Sequence, residues 1–253
     1  MVHGSVDCAK FYTSGDFMRL DKYLSHLQFG SRKEVKALIR DKRVRIAGEL
    51  VTDPGYNILP GVAVEVNDAQ ADGPLEVDYL MNKPAGVITA TEDPTQSTVL
   101  DLIRPHDYRP GLYPVGRLDK DTTGLLLLTT DGNLGHTLLA PNHHVPKTYA
   151  AKLAKTLTTE MKRQLEHGVA LKDFTTAPAD VQVVPATDNK EIHITITEGK
   201  YHQIKRMLLA VDNEVVALTR IAMGPLRLPE DLDAGEYRAL TDDERSLLDQ
   251  MVR

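Results

Sequence analysis

The stretch GRLDKDTTGLLLLTTDG, residues 116–132, determines how the rest of the chain is interpreted. Its four consecutive leucines, 125–128, form an apolar run typical of a buried strand, and Thr-Thr-Asp-Gly follows as an exit turn. Arg117 and Asp119 stand in a turn just before the strand. Most turn aspartates only bond their own backbone, yet an arginine and a carboxylate at the mouth of a buried strand indicate a functional site.

The sequence around this stretch predicts an α+β domain over residues 77–253. Irregular insertions separate its strands, and this favours a largely antiparallel mixed sheet flanked by helices over a regular strand–helix alternation. Strands are predicted at 77–81, 87–90, 125–129, 148–152, 181–184 and 192–197, and helices at 98–103, 134–139, 159–167 and 201–211.

A smaller helix-helix-strand domain is predicted at residues 18–68. Apolar spacing predicts a short helix from Arg19, a capping box of Ser31 and Glu34 begins a second helix, and alternating runs indicate strands at 44–46 and 62–66. We expect residues 1–17 to be a flexible leader. Residues 69–76 are small, polar and turn-prone, which predicts a linker between the two domains.

Charge is distributed unevenly along the chain. The net charge of -6 argues against a general nucleic-acid binder, and residues 230–244 hold seven acids. A polyanion would nevertheless respond to the local basic surface more than to the total charge. Such a surface is predicted between residues 18 and 48, where nine basic residues occur: Arg19, Lys22, Arg32, Lys33, Lys36, Arg40, Lys42, Arg43 and Arg45.

Composition excludes several classes of protein. Cys8 is the only cysteine among 253 residues, so no intrachain disulfide can form. No apolar run approaches the roughly 20 residues that span a bilayer, and the N-terminus lacks the apolar segment of a secretory signal. There is no GxxxxGK[ST] phosphate loop. We expect a cytoplasmic protein, and nothing in the sequence requires more than a monomer.

Residues 116–132 closely resemble motif II of the pseudouridine synthases, and the GLLLLT-x-DG portion is similar to the branch that modifies ribosomal RNA. The strings NKPAG (82–86), KTY (147–149) and EGKYHQIKRM (198–207) are similar to further motifs of that family, in the family's order. The string HH-x-x-KTY (143–149) is more similar to members acting on small-subunit (16S) rRNA. The resemblance covers roughly residues 18–245.

The N-terminal domain carries a second resemblance. MRLDKYL, SRKEVKALI and RVRIAGELV are similar to the alpha-L RNA-binding domain named after a small-subunit ribosomal protein. The basic residues could also be a merely solvated helix face, but their density beside the synthase motifs favours RNA. We therefore predict phosphate contacts, which position RNA without selecting its sequence, from Arg19, Arg32, Lys33, Lys36, Arg40, Arg43, Arg117 and Arg206.

The synthase resemblance implies roles for individual residues. Asp119 is the implied catalytic carboxylate, acting on carbon 1′ as a nucleophile or on a sugar proton as a base. Burial alone would raise the pKa of such a carboxyl, so a cation must lie nearby. Lys205 is the implied partner, with Arg206 as the alternative. Tyr149 is implied to stack on the target base, and its hydroxyl is a proposed proton shuttle.

The implied substrate is ribosomal RNA, with 16S favoured, or a ribosomal subunit precursor. The target nucleotide must be flipped out of the stack, and Arg117 is suited to contact the flanking phosphate or to hold the vacated space. Isomerisation moves no electron and adds no group, so no cofactor is expected. The pair His143–His144 is not expected to bind a metal, because adjacent histidines do not easily chelate one ion and no cysteine or suitably spaced carboxylate accompanies them.

Three functions other than a 16S rRNA synthase were compared with the sequence. A synthase acting on large-subunit (23S) rRNA and a non-catalytic rRNA-binding assembly factor both remain open. The string from Asp119 to Gly124 also superficially resembles the aspartyl-phosphate loop of haloacid-dehalogenase-like phosphatases. In those enzymes the apolar strand precedes the aspartate, whereas here it follows, which argues against that class.

Overall fold

The computed structural model describes residues 17–59 and 61–252, and the chain divides into two compact units. The described part of the first unit consists of residues 17–59, 61–76 and Arg104–Pro110; the second consists of Val77–Ile103 and residues 111–252. Apart from Phe17, the predicted flexible leader lies outside the described residues.

The first unit packs helices α1 (Leu20–His26) and α2 (Arg32–Arg40) against short strands. Leu20, Leu24, Val35 and Ile39 are buried together with apolar residues of the strands. The predicted capping box is present, because the Ser31 hydroxyl accepts from the Glu34 amide while the Glu34 carboxylate accepts from the Ser31 amide. The strands are β1 (Met18–Arg19), β2 (Val44–Ile46), β3 (Glu49–Leu50), β4 (Asn57–Ile58), β5 (Val64–Val66) and β6 (Ala69–Gln70).

Two details of the predicted segmentation are wrong. The predicted linker, 69–76, begins with β6, which pairs antiparallel with β5, and Ala71 is buried in the core. Residues 69–70 form a strand despite their turn-prone composition, because they satisfy backbone hydrogen-bonding groups along the edge of β5. Arg104–Pro110, predicted as part of the larger domain, belong to the first unit. There the Arg109 guanidinium donates to the carbonyl oxygen of Pro74 at 2.8 Å.

The second unit has the predicted α+β architecture, and its described strands form one nine-stranded sheet. The strands are β7 (Asp78–Lys83), β8 (Tyr113–Pro114), β9 (Thr123–Thr129), β10 (Lys147–Leu153), β11 (Asp180–Val183), β12 (Glu191–Ile196), β13 (Val215–Met223), β14 (Leu226–Arg227) and β15 (Tyr237–Ala239). The helices are α3 (Gly132–Leu139), α4 (Thr159–His167), α5 (Gln203–Ala210) and α6 (Asp242–Val252), and Val99–Leu102 and Pro141–His143 form 3-10 turns.

The sheet is mixed and largely antiparallel, as predicted. Its order is β11-β12-β10-β13-β9-β7-β15, with β8 added to β9 and β14 added to β13. Only the β9–β13 pair is parallel among the described strand pairs. Leu125, Leu126, Leu127 and Leu128 are all fully buried, which places the apolar run at the centre of the sheet.

Several local predictions differ from the structure. Residues 87–90 form no strand, because only Ile88 makes a bridge, to Thr98, and the Thr89 side chain bonds the backbone of Leu118 instead. Strand β13 was not predicted, although its β-branched run is typical of one. The acids at 242–244 open helix α6, where negative charge complements the helix N-terminus. No helix in the described part of the chain is long and apolar enough to cross a membrane.

Candidate active site

The loop that carries Asp119 is held from beneath by the NKP string. Lys83 ends strand β7 and is fully buried, and its ammonium donates to the carbonyl oxygens of Thr122 at 2.9 Å and Lys120 at 3.4 Å. The Gly86 amide donates to the Lys120 carbonyl at 2.8 Å. Burial lowers the pKa of Lys83 to about 8, against the opposing charges of the neighbouring aspartates. The NKPAG segment therefore anchors the loop that carries Asp119.

The residue before Asp119 is fixed by a reciprocal pair of hydrogen bonds. The Thr89 hydroxyl donates to the carbonyl oxygen of Leu118 at 2.9 Å and accepts from its amide at 3.1 Å. The Thr122 amide donates to the Asp119 carbonyl at 3.1 Å and closes the turn. The backbone on both sides of Asp119 is thus hydrogen-bonded to neighbouring residues, which fixes the position from which the Asp119 side chain projects.

Lys205 faces the Asp119 carboxylate. Its ammonium lies 3.0 Å from Asp119 Oδ2 and 2.6 Å from Asp121 Oδ1. Burial by itself lowers the pKa of Lys205, but hydrogen bonds and charge from the two aspartates outweigh this and raise it above its ordinary value. The Lys205 hydrogen bond likewise lowers the pKa of Asp121. An ammonium at this distance stabilises charged carboxylates.

Asp121 and His202 belong to this cluster and were not singled out from the sequence. His202 Nε2 lies 3.4 Å from Asp119 Oδ1, whereas Lys205 Nζ contacts the other carboxylate oxygen, Oδ2. His202 has a left-handed backbone (φ 49) at the start of α5, and its ring stacks on Tyr201 at 3.8 Å between centroids. The signals were present: Asp121 is two residues after Asp119, and His202 is three residues before Lys205.

Tyr149 lines the same cleft as Asp119 and Lys205. It lies in β10, is mostly buried, and pairs with Ile194 of β12 and Arg220 of β13. Apolar side chains of Ile196 and Leu218 complete the cleft. The structure therefore brings the three implied catalytic residues to one partly enclosed pocket, which is suited to hold a planar base beside a carboxylate.

The two arginines near the site have different surroundings. Arg117 is exposed and lines both this cleft and a larger neighbouring cavity. Arg206 points away from Asp119: it forms an ion pair with Asp173, and its guanidinium carbon lies 5.4 Å from the centre of the Phe174 ring. The alternative in which Arg206 pairs with Asp119 is therefore wrong, because Lys205 occupies that position. A role for Arg206 in RNA binding stays a prediction.

The predicted basic surface of the first unit is only partly available to a ligand. Arg32, Lys33 and Arg40 are exposed on α2 and form no ion pair with a described residue. Arg19 makes two hydrogen bonds to the buried Asp21 carboxylate, at 3.0 and 3.1 Å, and Lys36 lies 3.8 Å from it. The Arg43 guanidinium donates to Asn67 at 2.5 Å. The Arg19 guanidinium is therefore already paired with a carboxylate of its own domain.

The adjacent histidines lie apart from the Asp119 cluster. His143 ends a 3-10 turn, and His144 follows with a left-handed backbone (φ 47) and lines the larger cavity. Within residues 17–59 and 61–252, no group of three or more His, Cys, Asp or Glu side chains is placed to hold a metal ion.

Comparison with known proteins accounts for both units. Residues 78–210 match the RNA pseudouridylate synthase family, and residues 18–64 match the S4 domain. An uncharacterized RNA pseudouridine synthase of Bacillus subtilis (strain 168) is 46% identical over 236 residues, covering 92% of this chain and 99% of that protein. The chain belongs to the RNA pseudouridine synthase family.

Further relatives of this pseudouridine synthase span nearly its whole length. The ribosomal small subunit pseudouridine synthase A of Escherichia coli (strain K12) is 41% identical over 234 residues, covering 90% of this chain and 98% of that protein. A crystal structure of a pseudouridylate synthase is 34% identical, with a TM-score of 0.63, and covers 91% of this chain and 99% of that one. The predicted family and the predicted RNA-binding domain type are both confirmed.

Proposed function

We propose that this pseudouridine synthase converts a specific uridine of 16S ribosomal RNA to pseudouridine, with Asp119 as the reacting carboxylate. The observation that carries the proposal is the pairing of Asp119 with Lys205 at 3.0 Å inside a cleft that Tyr149 also lines. The small-subunit target is supported by the E. coli relative named as a ribosomal small subunit enzyme.

The isomerisation breaks the bond between ribose carbon 1′ and base nitrogen 1 and forms a bond from carbon 1′ to base carbon 5. The Asp119 carboxylate either attacks carbon 1′, as in retaining glycosidases, and is displaced when carbon 5 bonds to carbon 1′, or it removes the proton from carbon 2′ and returns it to that carbon as the base rejoins. The base, which leaves with the electron pair, turns and rejoins through carbon 5. Carbon 5 then loses its proton and nitrogen 1 gains one, so the overall composition is unchanged.

Each neighbouring residue has a distinct part in this proposal. The Lys205 ammonium, 3.0 Å from Asp119 Oδ2, stabilises the negative charge of the carboxylate. Tyr149, which lines the cleft, stacks on the extruded base, and its hydroxyl carries the proton that moves from carbon 5. Arg117, exposed at the mouth of the cleft, contacts RNA beside the flipped nucleotide.

The remaining assignments concern organisation and partners. We infer that the domain at 18–68 holds rRNA or a small-subunit precursor through the exposed cations of α2, while the domain from residue 77 performs the chemistry. Asp119, Tyr149 and Lys205 all come from one chain, which supports a monomeric enzyme. We also infer that the enzyme acts in the cytoplasm.

Pseudouridine mapping of both large rRNAs tests the proposal. Unmodified 16S and 23S transcripts, and small-subunit particles assembled on unmodified 16S rRNA, are incubated with and without the purified protein. They are then read by carbodiimide-dependent primer extension. One new stop in 16S rRNA, free or in particles, is expected. A stop only in 23S rRNA would replace the small-subunit target, and tight rRNA binding without any stop would favour the assembly-factor alternative.

A further inference from the structure

A second cavity lies beside the Asp119 cleft and has no assigned function. Its volume is about 520 Å³, within the range of small-ligand sites. Arg117 and Tyr149 line both spaces, so the cavity adjoins the position of the target base. One wall is apolar, from Leu138 and Leu139 at the end of α3. Four cationic side chains also line the cavity: Arg117, Lys147, Lys200 and Arg220.

Arg220 is the main reason to regard this cavity as a binding site. The residue is 1% exposed and lines the cavity, yet its Nη2 has no hydrogen-bond partner among the described residues. The guanidinium is held in place because Nε donates to the carbonyl oxygen of Leu125 at 2.7 Å. Arginine stays charged in proteins, and a buried charge without a partner is strongly unfavourable. The arrangement is that of a site built for an anion.

Lys147 adds a second cation on the adjacent strand. Its ammonium is half-buried in the cavity wall, and among the described residues it donates only to the carbonyl oxygen of Val145, at 2.9 Å. Burial, with a smaller effect of the Arg220 charge, lowers the pKa of Lys147 to about 8. Lys147 and Arg220 lie on paired strands and line the same cavity, so an anion bound between them would offset their like charges.

The other charged groups do not neutralise these cations. Arg117 and Lys200 add positive charge, and Glu198 is the one acidic side chain among the described residues that line the cavity. The Glu198 carboxylate accepts hydrogen bonds from the Ala177 amide at 3.0 Å and from Gln203 Nε2 at 2.7 Å. No ion pair between Glu198 and Arg220 occurs in the described part of the chain.

We propose that this cavity binds the phosphate of the nucleotide next to the target uridine, with Arg220 and Lys147 as the phosphate ligands and the α3 wall against the attached nucleoside. The inference rests on the proposed function, because the bound nucleotide is placed by the one that enters the Asp119 cleft. An arginine fork and a lysine are the groups that proteins use to hold phosphate, and an apolar wall suits a base. The cavity therefore fixes the register of the RNA strand.

A lysine-labelling experiment tests binding without relying on activity. The protein is acetylated with acetic anhydride alone, with 16S rRNA, or with inorganic phosphate, and labelling is read by peptide mass spectrometry. Lys152 on the same strand is the internal control, because it is exposed and pairs with Glu191 at 3.2 Å. RNA should protect Lys147 and leave Lys152 labelled. Equal labelling of Lys147 with and without RNA would overturn the proposal.

Variants separate the phosphate site from the chemistry. In single turnover, Lys147→Met is expected to raise the half-saturating RNA concentration about tenfold with little change in the maximal rate. It should also reduce the slope of log affinity against log salt by about 0.7, the value for one phosphate on single-stranded RNA. Lys152→Met removes the same charge and should change neither. Arg220→Lys, which keeps charge but loses the fork, should weaken binding in the same direction.

The outcomes distinguish this inference from the proposed function. If the wild-type protein makes pseudouridine while Lys147→Met keeps its affinity and salt slope, the phosphate site is wrong and the function stands. If RNA protects Lys147 but no pseudouridine forms, the proposed function fails although the cavity binds RNA. If inorganic phosphate protects Lys147 fully and the salt slope is unchanged, the cavity holds free phosphate and the RNA assignment is overturned.

Discussion

The ammonium of Lys83 lies 2.9 Å from the carbonyl oxygen of Thr122, so a fully buried cation at the end of β7 fixes the loop that presents Asp119. This contact joins the NKP segment (82–84) to the loop that follows GRLD (116–119), and it gives a structural reason for the two segments to occur in the same protein. The ammonium bonds only backbone oxygens, which places it in a supporting role beneath the site.

Replacing Lys83 with Met should change how the free energy of unfolding depends on pH. The folded pKa of about 8 lies below the ordinary 10.5, so between these values the unfolded chain binds more protons and stability rises with pH. From pH 7 to 9.5 the free energy of unfolding of wild type should rise relative to Lys83→Met by about 1 to 2 kcal/mol. Urea unfolding of both proteins at the two pH values measures this, and parallel profiles would contradict it.

Gly124→Ala should destabilise the sheet at its one parallel junction. Gly124 has φ +99, and a Cβ there would lie 2.3 Å from the carbonyl oxygen of Arg220 on β13. Backbone cannot withdraw from such a clash, so a loss of about 2 kcal/mol or more is expected in chemical denaturation. Gly132→Ala is the control, because its Cβ would meet nothing within 4 Å. Equal stability of the two variants would refute the close approach.

Removing the Lys205 ammonium should be far more damaging than replacing it. Lys205→Met leaves Asp119 and Asp121 as neighbouring carboxylates without their shared cation, and the single-turnover rate should fall by about two orders of magnitude. Lys205→Arg keeps the charge and should retain a substantial part of the rate. An equal loss in both variants would show that the ammonium acts through geometry alone, and full activity of Lys205→Met would exclude the ion pair from catalysis.

The exposed cations of α2 should contribute to RNA affinity through phosphates. Replacing Lys33 and Arg40 together with alanine is expected to lower the slope of log affinity against log salt by about 1.5 in total, since single-strand and duplex contacts contribute about 0.7 and 0.9 each. Arg163→Ala on α4 is the control, because that side chain is exposed and pairs with Glu160. A filter-binding titration over several salt concentrations is sufficient. If the double variant keeps the wild-type slope, the phosphates are bound elsewhere.

Short-range patterns predicted much of the fold. The capping box of Ser31 and Glu34 depends only on four successive residues, and the buried run 125–128 depends only on local apolarity. Both were therefore accessible from the sequence. Strand β13 was equally readable from its β-branched residues and was missed. The family motifs also predicted which residues would meet, because Asp119, Tyr149 and Lys205 do line one cleft.

Pairings between distant segments were not accessible in the same way. Arg220 is 71 residues from Tyr149 along the chain, and only the register of β10 and β13 places the two side by side. A lone arginine in a strand gives no sign that its Nη2 will be buried without a partner. Asp121 similarly becomes part of the site only when α5 brings Lys205 within 2.6 Å of it.

The rate of Asp119→Asn on 16S rRNA is the most direct test of the central claim, which is that a charged oxygen at this position reacts with the extruded uridine. The substitution keeps the size of the side chain and removes its charge. Single-turnover pseudouridine formation should fall by about three orders of magnitude or more, while RNA affinity stays within about twofold of wild type. Pseudouridine formation by Asp119→Asn at a rate near that of wild type would contradict the account.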